Sequence, residues 1–131
     1  MAHYQNPAAW KVALERIQKA HDTGSETLDL SNLRLRSIPE KISCLAGQLK
    51  TLDISSCSGL FDITHIADLT ELTELMLQGN RQLSDLSPLL TLRQLKVLDL
   101  SRCQTLSDLS GLNNLPQLQQ LYLSGLQSRV I

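Results

Sequence analysis

The chain has 131 residues, enough for one domain that buries a continuous core. Its 12 basic and 13 acidic residues leave a formal net charge of −1, so there is no broad electrostatic footprint for nucleic acid or an anionic membrane, and no run of like charge reads as an interaction tail. Hydrophobic residues make up 42% and aromatics only 3%, so the core must be built from repeated aliphatic layers, mostly leucine, rather than from a few large rings.

The opening MAHYQNPAAW has no basic segment followed by an apolar stretch, which argues against a secretory signal. No apolar run approaches the ~20 residues needed to cross a bilayer. From Asn6 onward, NPAAWKVALERIQKAHDTG reads as a helix: Asn6 can cap it, Pro7 suits its first turn, and Gly24 follows its end. Trp10, Ala13, Leu14, Ile17 and Ala20 fall on one face of that helix. Residues 1–24 are therefore expected to form an N-terminal cap.

The rest of the chain repeats. Leu49, Leu72, Leu95 and Leu118 are spaced 23 residues apart, and the apolar positions within each unit coincide. Leu49, Leu52 and Ile54 match Leu72, Leu75 and Leu77, then Leu95, Leu98 and Leu100, then Leu118, Leu121 and Leu123. Further along, Leu60, Ile63, Ile66 and Leu69 match Leu83, Leu86, Leu89 and Leu92, and then Leu106, Leu109, Leu112 and Leu115. The units run 25–48, a less regular first copy carrying Leu28, Leu30 and Leu33, then 49–71, 72–94, 95–117 and a partial 118–131. Alternation in L-x-L is a strand with one face buried. No unit can bury its leucines alone, so stacked units must do it for one another. The second halves, DITHI, DLSPL and DLSGL, place Thr64, Ser87 and Ser110 where a helix cap would stand, with Pro88 as a first helical residue. Short 3₁₀ turns are expected there, capped by these side chains.

The repeated LxxLxLxx(N/C)xL phrase resembles the leucine-rich repeat family over residues 25–131, and units of this length with DLSPL phrasing resemble the bacterial internalin type. The resemblance implies an α/β solenoid: an N-terminal capping helix, a five-stranded parallel concave sheet and short 3₁₀ turns on the convex side. Residues 12–42 also resemble the entry to the repeat arms of Roco-type GTPases. No GxxxxGK[ST] motif is present to supply a GTPase site.

Cys57, Asn80 and Cys103 occupy the ninth place of their units, where the family pattern has Asn or Cys. There the chain turns away from the strand and leaves backbone groups that need an inward partner, which Asn supplies well and a thiol weakly. Leu33 departs from the pattern, so the first turn should be less regular. Cys57 and Cys103 stand two rungs apart, about 10 Å, too far for a disulfide and poor for sharing a metal. Three cysteines without a CxxC suit a reducing cytoplasm. An injected effector needs no cleavable signal, so that location is also compatible with the sequence.

The fifth place of each unit should face solvent on the concave side: Asp29, Asp53, Met76, Asp99 and Tyr122. Flanking columns, also expected to be exposed, hold Thr27, Thr51, Glu74, Val97 and Gln120, and Ser31, Ser55, Gln78, Ser101 and Ser124. Lys50, Lys96 and Arg102 temper the acidic character. Asp29, Asp53, Met76, Asp99, Tyr122, Glu74, Gln78 and Arg102 are the candidate residues for binding a basic, partly apolar protein partner. A second acidic column, Asp62, Asp85 and Asp108, is expected to hold nearby backbone amides rather than a metal, because a ladder spreads ligands along a line. His3, His21 and His65 are scattered and no serine lies in GxSxG, so the chain reads as a binding module without catalytic residues, cofactor or metal. Leu121, Leu123, Leu126, Val130 and Ile131 end the stack on an apolar rung, which points to association there, self-association included, or to a repeat arm of a larger signalling protein.

Overall fold

The structure is a computed structural model and describes residues 5–126. Its first element, helix α1, spans Pro7–Thr23, and local chemistry sets both ends. The Asn6 side chain accepts the Ala9 N–H at 3.0 Å, Pro7 stands where no N–H is needed, and Gly24 takes the left-handed conformation (φ 65°) that stops the helix. The buried stripe is Ala9, Ala13, Ile17 and Ala20, while Trp10 and Leu14 are only half-buried. The contact line thus differs from the expected one. Three alanines and Ile17 make the close contact with the first rung, and Trp10 packs against the core from the edge of that line.

Five strands follow, each three residues long: β1 Thr27–Asp29, β2 Thr51–Asp53, β3 Glu74–Met76, β4 Val97–Asp99 and β5 Gln120–Tyr122. They pair in chain order, all parallel, and the register never slips: Leu28, Leu52, Leu75, Leu98 and Leu121 are successive partners. The chain returns from each strand to the next through a 3₁₀ turn, at Glu40–Leu45, Thr64–Asp68, Ser87–Thr91 and Ser110–Asn114. Strand leucines and turn leucines face each other and form one aliphatic core from Ala9 to Leu115.

The aspartate column of the convex turns holds nearby backbone amides as expected, whereas the expected Ser and Thr caps do not form. Ser87 is itself the first residue of its turn, Pro88 the second, and the preceding Leu86 offers no side-chain cap. The aspartate two residues ahead takes the capping role. Asp62, Asp85 and Asp108 each accept, through Oδ1, the N–H of Thr64, Ser87 and Ser110 at 2.9, 2.9 and 3.0 Å. A carboxylate two places upstream closes an Asx turn onto the amide that the tight 3₁₀ geometry leaves open.

The chain leaves every strand through a left-handed residue at the eighth place: Asn32, Ser56, Gly79, Arg102 and Gly125, with φ of 61°, 56°, 79°, 60° and 77°. At Gly79 a Cβ would lie 2.9 Å from the Ser56 Oγ. Here glycine provides both the conformation and the space. The bend aims each eighth-place N–H at the next rung: those of Asn32, Ser56, Gly79 and Arg102 donate to the carbonyls of Ser55, Gln78, Ser101 and Ser124 at 2.8–2.9 Å.

Inside the bend lies the ninth-place column. Asn80 is fully buried; its Nδ2 donates to the Ile54 carbonyl (2.9 Å) and the Leu77 carbonyl (2.8 Å), and its Oδ1 accepts the Cys57 N–H (2.9 Å). The Cys57 Sγ donates to the Leu30 carbonyl at 3.3 Å, and the Cys103 Sγ to the Leu77 carbonyl at 3.1 Å. In the first unit Leu33 is half-buried and Leu35 takes the enclosed place instead.

Asn80→Ala removes the side-chain donor of the Ile54 carbonyl, leaves the Leu77 carbonyl only the Cys103 thiol, and leaves the Cys57 N–H without its acceptor, so it should destabilise the fold by about 2–4 kcal/mol, read from urea unfolding. Asn80→Cys, which restores one weak donor, should recover part of that loss.

Candidate functional site

The register brings the predicted concave residues into one row. Asp29 faces Asp53, Asp53 faces Met76, Met76 faces Asp99 and Asp99 faces Tyr122 as direct cross-strand partners. Asp29 and Tyr122, at the two ends, are exposed; Asp53, Met76 and Asp99 are half-buried between their neighbours. Glu74 is half-buried in the adjacent column, between Thr51 and Val97.

The aspartates do more than face solvent. Asp29 Oδ1 accepts the Ser31 N–H and hydroxyl at 2.8 and 2.6 Å, and Asp53 Oδ1 accepts those of Ser55 at 2.9 and 2.7 Å. Asp99 Oδ1 accepts the Ser101 N–H at 2.9 Å. The Ser31 hydroxyl and amide, with Arg16 nearby, hold the Asp29 carboxyl below the usual carboxylate range. Arg16 also donates to the Asp29 carbonyl at 2.8 Å, so the capping helix places a cation beside the first acid of the row.

The serine column was expected to be exposed, but Ser55 and Ser101 are buried. The backbone has already begun its bend at this place and folds these side chains in beside the aspartates and the next rung, where the Ser101 Oγ accepts from the Ser124 Oγ at 3.1 Å. Gln78, half-buried in the same column, has its Oε1 enclosed without a hydrogen-bond partner. Arg102 stands off the strands, exposed on the left-handed bend after β4. Lys50 lies 3.5 Å from Glu71, which occupies its charge in part.

Of the three thiols, Cys44 is exposed and Cys57 and Cys103 are buried, all free. Burial pushes the Cys57 thiol up to about 11 and raises that of Cys103. Both act as packed neutral donors. Among the described residues no three His, Cys, Asp or Glu side chains converge as a metal site would require, and no helix is long and apolar enough to cross a membrane. At the last strand, Leu121 and Tyr122 are 38% and 48% exposed, while Leu118, Leu123 and Leu126 pack partly against the core. Val130 and Ile131 lie outside the described residues, as does His3.

Residues 70–114 match the family described as leucine rich repeats (2 copies). Solved structures agree on the fold. The leucine-rich repeat domain of the type III effector XopL superposes with a TM-score of 0.71 at 22% identity, covering 93% of this chain and 44% of that one. An internalin (inlF) of Listeria monocytogenes gives 0.57 at 23%, covering 85% and 37%, and internalin C2 of the same species gives 0.53 at 26%, covering 86% and 57%. The chain therefore spans between 37% and 57% of the length of these neighbours. Comparison with curated proteins gives no match.

A thiol reagent at neutral pH should modify Cys44 rapidly and the other two only after unfolding. The raised Cys57 thiol adds stability that is complete below the ordinary 9.0 and fades as pH climbs toward about 11, because the unfolded chain ionises first. Alkaline melts of Cys57→Ala should lose that component.

Proposed function

We propose, from the premise that this chain is a leucine-rich repeat solenoid of the internalin-like form, that it is a protein-interaction module whose concave sheet receives an extended partner segment carrying basic and apolar side chains. Leucine-rich repeat domains generally serve as protein-interaction modules. The observation that carries the reading is the unbroken row Asp29, Asp53, Met76, Asp99, Tyr122. From Asp53 onward it alternates acid with large, partly apolar side chains at the strand spacing of about 4.8 Å. An extended segment crossing the strands would therefore meet a carboxylate and a soft contact surface in turn. Gln78 and Glu74 border the row and offer further polar contacts, and Arg102 at the bend would set one limit of the acidic field.

The enclosed Cys57 and Cys103 thiols suit a reducing cytoplasm, where we place the module. We read it as a non-enzymatic protein without a cofactor, and its partner as protein rather than nucleic acid or membrane. An effector delivered into another cell is the second reading, favoured by the likeness to the XopL repeat domain, which covers 93% of the chain. The partly open rung at β5, paired on one side only among the described strands, favours a further contact there. Self-association, or packing within a larger signalling protein, would supply it.

Because Asp53 and Asp99 hold their serines, charge reversal would disturb the strand exits, whereas Asp53→Asn/Asp99→Asn keeps the Oδ1 acceptor and removes only charge. Crosslinked capture of a partner from native lysate should weaken about tenfold for this pair and for Met76→Ala/Tyr122→Ala, with circular dichroism unchanged. Equal capture by the wild type and both pairs would move the binding surface off the concave face.

A further inference from the structure

The repeat explains most side chains of the convex side, but not Leu90. This leucine is 40% exposed, and the same place in the neighbouring units holds Ala67 and Asn113, so the scaffold does not need a large apolar group there. Facing it across the rung is Gly111, where the preceding units have Pro88 and His65. A Cβ on Gly111 would come within 3.0 Å of Leu90 Cδ2, so the missing side chain lets Leu90 lean over the next turn. The pair opens a groove of about 250 Å³ between the turns Ser87–Thr91 and Ser110–Asn114, floored by Leu86, Leu90 and Leu109. That volume suits side chains rather than a cofactor, whose pockets take roughly 300–1,000 Å³.

Asp85 and Asp108 stand on the groove wall, and no lysine or arginine lines it. Their Asx bonds to Ser87 and Ser110 fix the carboxylates in place. Both bonds to Asp108, from the Ser110 N–H and hydroxyl, fall on Oδ1, which leaves Oδ2 for a partner. The serine amides and hydroxyls hold both acids below the usual carboxylate range, so both are ionised at neutral pH.

We propose that this convex groove is a second docking site, for a partner-protein segment that presents an aliphatic side chain next to a lysine or arginine. The aliphatic group covers Leu90 and the cation meets the two fixed carboxylates. Charge complementarity selects this occupant: an acidic segment would be repelled, and a purely polar one would leave the leucines wet. The site is independent of the concave row, which lies on the strands, whereas the groove lies between the returning turns.

The test uses the whole chain, labelled with ¹⁵N, and three short peptides: one alternating Lys and Leu, one Glu and Leu, one Lys and Ser. The Lys–Leu peptide should shift the amides of Ser87, Ser110 and Gly111, with the other two binding at least about fivefold more weakly. Leu90→Ala, and separately Asp85→Asn/Asp108→Asn, which preserves the Asx acceptor, should each weaken the Lys–Leu peptide about fivefold. Asp53→Asn/Asp99→Asn should leave those groove shifts unchanged, which separates this site from the concave one. Equal binding of the Glu–Leu peptide, shifts confined to the concave strands, or indifference to Leu90→Ala would overturn the proposal. So would groove shifts that grow with protein concentration alone, because they would make a second copy of the chain the occupant.

Discussion

Everything in this molecule depends on how the strand exits are satisfied inside a core of leucine. A strand of three residues makes few ladder bonds, and the chain then turns inward with backbone carbonyls pointing into apolar surroundings. Unmet, each would cost about 1–3 kcal/mol. The ninth-place side chain of the next rung meets them: Cys57 the carbonyl of Leu30, Asn80 that of Ile54, Cys103 that of Leu77. Asn80 alone also takes a backbone N–H, that of Cys57, and so joins two consecutive turns, those after β2 and β3. The two cysteines that frame it pack as small apolar groups with one weak donor each.

With the exits held, the register is locked, and the two faces of the solenoid follow. On the strands, the fifth-place side chains form a straight row because every partner is the residue one unit away. On the turns, Asp62, Asp85 and Asp108 form a second row for the same reason. Both rows of aspartate combine two tasks. One carboxylate oxygen closes an Asx turn, and the charge remains at the surface. A scaffold that spends its acids this way carries acidic stripes on both faces while its net charge stays at −1.

Much of this was legible in the chain. Period 23, the L-x-L phrase and the ninth-place residue are enough to derive strand order, parallel pairing and the concave row, because stacking identical units admits one arrangement. The helix was legible at Asn6, Pro7 and Gly24, whose capping chemistry is local. What escaped depends on how far side chains reach across elements. Ala9 joined the helix contact line as a buried residue, while Trp10 packs against the core only in part. Ser55 and Ser101 are buried because the bend begins one place earlier than simple alternation suggests. The aspartates hold nearby amides as their column suggested, but Ser87 proved to be the first residue inside its turn rather than its cap.

The sequence by itself determined the solenoid, its rung spacing, its cap and the residues of its concave row, since those follow from a repeat that can bury its leucines only against its own copies. The tertiary structure alone decided which polar groups close turns and which stay exposed at the surface. It also decided that the pairing of Leu90 with Gly111 opens a groove. Neither can be read from a period, because both depend on contacts between side chains on successive rungs, and a repeat pattern states where residues stand without stating what fills the space between them.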